Sequence, residues 1–121
     1  MADKFFVLSG KVSSHYCGES SEYPRGFKCL ESAEDAVLDR FIEWLESEDV
    51  VSDGVVVLAE LEQEGTFDET TVQEMATDSD GNVPLDSLRD YVSKNHLHNL
   101  FASIGTETYI DLDVNEVEIE D

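Results

Sequence analysis

Between residues 31 and 49, apolar and acidic positions separate onto two sides of one predicted helix. Val37, Leu38, Phe41, Ile42 and Leu45 recur at the spacing of a single helical stripe and predict a core-facing side. Asp35, Asp39, Glu43 and Glu46 fall at i, i+4, i+8 and i+11 on another side. Successive carboxylates there lie about 6 Å apart along the axis, from a rise of about 1.5 Å per residue. Ser32 followed by Asp35 has the form of a capping box, with a shorter acid in the usual Glu or Gln place. Trp44 falls between the two sides, so partial exposure is expected. An exposed Trp beside carboxylates would make an interface anchor, because interface energy concentrates in aromatic residues.

Around this helix the pattern predicts the order β-α-β-α-α-β. A first strand covers residues 4–12, interrupted by Gly10. Residues 13–30 read as a long irregular stretch punctuated by Gly18, Pro24 and Gly26, with a short strand at most near 26–30. After a turn at Ser52-Asp53-Gly54, residues 55–61 form the best strand candidate. Residues 66–76 lean towards a short helix capped at Thr66 or Asp68. Pro84 suits the first turn of a helix reaching about Phe101, with Leu85, Leu88, Val92, His96 and Leu100 on its apolar side. Residues 106–121 close the chain as a strand, in which Ile110, Leu112 and Val114 alternate with Asp111 and Asp113. The alternation slips one residue at Asn115-Glu116, which predicts a bulge or tight turn. The expected fold is a single α+β domain over residues 1–121, a small, mostly antiparallel sheet packed with two or three helices.

Charge sharpens the picture. The chain of 121 residues has a formal net charge of −22, yet 40% hydrophobic residues, six Phe, four Tyr and one Trp equip it to bury a core. Of its 29 acids, all but Asp3, Glu19 and Glu22 follow residue 30, whereas Lys4, Lys11, Arg25 and Lys28 precede it. Such a charge excludes direct attraction to nucleic acid or anionic membrane and favours a basic partner. The apolar run that opens at Phe5 ends by Ser9, too short for a signal-peptide core, and no stretch approaches a membrane span. Two cysteines make no disulfide framework. A cytoplasmic protein with reduced thiols is therefore expected.

The closing strand adds carboxylates at Asp111, Asp113, Glu116, Glu118 and Glu120, about 6.6 Å apart where they share a side. With the helical row they form ordered lines of negative charge on rigid elements. One row is sparser than duplex DNA, which carries a charge per roughly 3.4 Å on each strand, but rows side by side come nearer. In size, charge and these carboxylate rows the chain resembles the DNA-mimic inhibitors of phages and mobile elements. Those proteins occupy the nucleic-acid sites of restriction enzymes, CRISPR effectors, nucleases, glycosylases or DNA-organising proteins. They share no motif or common fold, so the resemblance implies an activity and an acidic surface but assigns no residue.

Other chemistry is poorly supported. Residues 78–83 have the look of a calcium loop, but with Gly81 at its sixth position Ala76 and Ser87 stand where an Asp and a bidentate Glu are required. His15, Cys17, Cys29, His96 and His98 lack zinc-finger spacing, so no metal or other cofactor is expected. No catalytic motif occurs, and an enzyme is not expected. The expected function is inhibition by phosphate mimicry, with partner-binding residues Asp35, Asp39, Glu43, Trp44, Glu46, Asp111, Asp113, Glu116, Glu118 and Glu120. A homodimer would lengthen the charge array. Two alternatives share parts of the pattern: an immunity or antitoxin protein neutralising a basic toxin, and an acidic domain from a salt-loving organism.

Overall fold

In a computed structural model, the described residues are 3–14, 18–62, 64–75, 82–97, 99–104 and 108–119. Strands β1 (Asp3–Ser14) and β2 (Gly18–Phe27) precede helix α1 (Leu30–Ser47). Short strands β3 (Val51–Ser52) and β4 (Val55–Val56) follow, then two single 3-10 turns, Leu58–Glu60 and Gly65–Phe67. Helix α2 (Glu69–Met75), strand β5 (Val83–Pro84), helix α3 (Leu85–Asn95) and strands β6 (Asn99–Ile104) and β7 (Thr108–Ile119) complete the chain. An antiparallel sheet of order β2-β1-β7-β6 and a smaller antiparallel sheet of order β3-β4-β5 make this an α+β fold.

The main sheet is covered on one face. Leu8 and Val12 of β1, Leu100 and Ala102 of β6 and Ile110, Leu112 and Val114 of β7 point to that face and are buried. Against them packs α1, whose Phe41 also stacks on Phe67 at a centroid distance of 5.8 Å. The buried side chains of both sheets and all three helices form one cluster. The β6 edge does not lie open. Ser103 O accepts from Glu62 N–H at 2.9 Å, and Phe101 N–H donates to Thr66 Oγ1 at 2.9 Å. Glu62 and Thr66 thus occupy bonding positions that would otherwise template another strand.

Several sequence expectations are corrected. The stretch 13–30 is not irregular through its length, because β2 runs from Gly18 to Phe27 in register with β1. Its polar composition hid a strand that pairing supports. The β1–β2 register shifts between Leu8 and Gly10, giving β2 an extra residue beside Pro24, where a residue without an N–H is tolerated. No such shift interrupts β7, which pairs with β1 continuously from Tyr109 to Ile119. The slip in its alternation marks where β7 outruns the covered face: Val114 is buried, while Glu116 on the same side is exposed.

The helix boundaries follow their end motifs. Helix α1 starts at Leu30 with Cys29 as an N-cap lacking a side-chain bond, so Ser32 lies inside the helix and the capping box does not form. At its other end Asp49 adopts φ 63°, and Val50 N–H reaches Leu45 O while Asp49 N–H reaches Glu46 O. That is the Schellman pattern with an Asp in the left-handed position. Helix α3 ends in the same way at His96, φ 50°, rather than continuing to Phe101. His96 is exposed and not on a core side. The predicted strand at 55–61 shrinks to β4, joined to β3 by a two-residue turn in which Asp53 and Gly54 both have positive φ. Asp68, one of the two caps considered for α2, accepts from Thr71 N–H at 2.8 Å.

Candidate functional site

Helix α1 presents Asp35, Asp39, Glu43 and Glu46, all exposed. Their common side is set by what the helix buries. Ala33, Val37, Leu38, Phe41, Ile42, Trp44 and Leu45 are all buried, and at about 100° per residue they take up about half the circumference. The acids occupy the remainder, over about 17 Å from Asp35 to Glu46. Because the opposite side is locked into the core, these carboxylates ride on a fixed backbone.

Trp44 does not belong to this surface. It is 1% exposed, which corrects the expectation of a partly exposed anchor. The helix packs against both the main sheet and α3, so a position that bordered a single stripe is interior. The indole Nε1–H finds no hydrogen-bond partner among the described residues.

The row is neither uniform nor free of local compensation. Arg89 Nη1 on α3 donates to Asp39 Oδ1 at 3.0 Å, with both side chains substantially exposed. Nearer the start of α1, His96 Nδ1 lies 3.3 Å from both carboxylate oxygens of Glu34. A recess of about 400 Å³ opens there, lined by Glu31, Glu34, Asp35, Ser93 and His96 among others. At the C-terminal end, Glu46, Glu48 and Asp49 meet no basic residue in the last turn. Acids there oppose the helix dipole, so this placement works against stability at low ionic strength.

Asp111 and Asp113 of β7 do not extend the helical row. Both lie on the face of the main sheet opposite to α1. Asn99 Nδ2 donates to Asp113 Oδ1 at 2.6 Å and to Asp111 Oδ1 at 3.2 Å, and Lys11 is the direct register neighbour of Asp111 on β1. With the strand unbulged, Glu116 points to the other face from Asp111 and Asp113. The expectation of rows side by side is therefore corrected for Asp111 and Asp113. The side chain of Glu118 and all of Glu120 lie outside the described residues.

Two further features escaped sequence reasoning. Arg89 is 50 residues from Asp39, and no local spacing announces their meeting. Between α2 and α3, the Glu74 carboxylate beside the Tyr91 hydroxyl raises the phenol pKa, with burial adding to the shift and Thr71 opposing it. Among the described residues no group of three His, Cys, Asp or Glu side chains is placed to hold a metal ion. Cys29 is an exposed free thiol, whereas His15, Cys17, His98 and the 78–81 part of the loop weighed for calcium lie outside the described residues. No described helix is long and apolar enough to cross a membrane.

No family model matches the chain, and no curated protein or solved structure matches it.

Proposed function

We propose that this protein is an acidic inhibitor whose α1 face occupies the basic nucleic-acid-binding site of a partner protein and excludes the natural ligand. The observation that carries this reading is the set of four exposed carboxylates, Asp35, Asp39, Glu43 and Glu46, ordered on one side of an 18-residue helix in a chain of net charge −22. Carboxylates on a core-anchored helix stand in for phosphates against Lys and Arg, and little ordering is left to be done on binding. Association of this kind is steered, fast and salt-sensitive. The partner class is a restriction, CRISPR or nuclease-type enzyme, met in the cytoplasm of the cell that holds it.

The placement of Asp111 and Asp113 on the sheet face opposite to α1 narrows the mimicry to the helical face. A row of about 17 Å matches about five base pairs of duplex. A row this short also suits a basic exosite on a toxin, the immunity-protein reading, and competition with DNA separates the two. The direct test reverses Asp35, Glu43 and Glu46 to Lys together. All three are exposed, so the circular dichroism spectrum should remain that of the parent while partner affinity falls by about 100-fold or more. Unchanged affinity in a folded variant would remove α1 as the contact.

A further inference from the structure

A groove of about 420 Å³ lies between α2 and α3, lined by Glu74, Met75, Asp90, Tyr91, Lys94 and Asn95 among others. Met75 is buried and gives it an apolar lining, while Tyr91 is half-buried and both carboxylates are exposed. Glu74 and the Tyr91 ring line the same rim, and the carboxylate is near enough to raise the phenol pKa. Asn95 Nδ2 donates to Tyr91 O at 2.9 Å, bracing the last turn of α3. An aromatic ring beside two carboxylates suits a guanidinium. That group is planar and weakly hydrated, stacks on aromatic faces and donates in a fork to carboxylates. Lys94 stands four residues after Asp90 and competes for it, but an exposed pair at this spacing is weak enough to be displaced.

We propose that the α2–α3 groove is a subsite for an arginine side chain of the basic partner, with Tyr91 as the stacking face and Glu74 and Asp90 as the acceptors. The proposal deepens the reading of α1 as a face for a basic protein and rests on it for the partner. It places part of that contact beyond the α1 row, on α3, which already carries Arg89 against Asp39.

The test titrates the full chain with Nα-acetyl-arginine amide and, separately, Nα-acetyl-lysine amide, following the backbone amide resonances of Tyr91 and Asn95. Arginine should saturate these shifts with a dissociation constant on the order of millimolar and bind about threefold tighter than lysine. A Glu74→Gln/Asp90→Asn variant should weaken it about fivefold. Glu74→Gln keeps an acceptor for Tyr91, so the spectrum of that variant should otherwise stay close to the parent's. Shifts that do not saturate, that are equal for the two amides, or that are unchanged in the variant would overturn the subsite. The two proposals fail separately. Selective arginine binding in a protein that captures no basic partner leaves the subsite standing and removes the inhibitor reading; a captured partner with no arginine selectivity does the reverse.

Discussion

Gly10 tests the central strand pairing most severely. It sits in β1 opposite Leu112 of β7, and a Cβ built on it would fall 2.1 Å from the backbone oxygen of Asp111 and 2.9 Å from the Leu112 Cα. Ordinary heavy-atom contact is about 3.5 Å, so β1 and β7 would have to part by more than about 1 Å to admit a methyl group. Both obstacles are backbone and cannot rotate away. Overpacking costs about 1–3 kcal/mol, and one or two weakened ladder bonds add about 1 kcal/mol each. Gly10→Ala should therefore lose about 2–5 kcal/mol and lower Tm on the order of 10–20 °C for a chain this size. Gly26→Ala is the control, because its Cβ meets only Phe5 Cδ1, at an ordinary 3.6 Å. It should change stability by less than about 1 kcal/mol, through a less flexible unfolded chain. Thermal melts followed at 222 nm, with urea midpoints for both variants, provide the measurement. A Gly10→Ala protein within about 1 kcal/mol of the parent would mean that β1 and β7 do not approach as described.

Three further outcomes follow from the charges. Removing the exposed pair by Arg89→Ala should cost less than about 1 kcal/mol in urea unfolding. By freeing Asp39 it should raise affinity for a basic partner, and weakened binding would instead put Arg89 in the interface. The Asp68 carboxyl is held below the usual carboxylate range by the Thr71 backbone N–H and then the Thr71 side chain. Its contribution to α2 is thus present above the ordinary pKa of 3.8 and disappears as pH falls through the depressed value. Asp68→Asn keeps the cap, so the urea-midpoint difference between parent and variant should shrink on acidification; a pH-independent difference would contradict this. Finally, stability should climb gradually with salt as self-repulsion is screened, whereas a chain folding only near molar salt would favour the halophile reading.

The α1 helix was legible because its apolar and acidic positions keep a helical period over many residues, and β7 because three of its core residues alternate strictly. Strand β2 was not, since a polar run containing Pro24 and Gly26 carries loop chemistry and becomes a strand through β1. Strand β6 was absorbed into the preceding helix because Leu100 continues the spacing of Leu88 and Val92. The break at His96 uses a left-handed residue that is neither Gly nor Asn, so the usual stop signal was missing. The acidic row could be read from spacing alone. Its compensation by Arg89, the burial of Trp44 and the split of the β7 acids depend on how distant elements pack. Sequence therefore located the charged surface but overstated its breadth.

The most direct test of the inhibitor reading is capture from nuclease-treated bacterial lysate at moderate salt, using the parent protein and the Asp35/Glu43/Glu46→Lys variant in parallel. The account predicts one stoichiometric nucleic-acid-binding protein held by the parent, released by duplex DNA and absent from the variant. A retained protein that DNA does not displace, or equal capture by the folded variant, would contradict phosphate mimicry by α1.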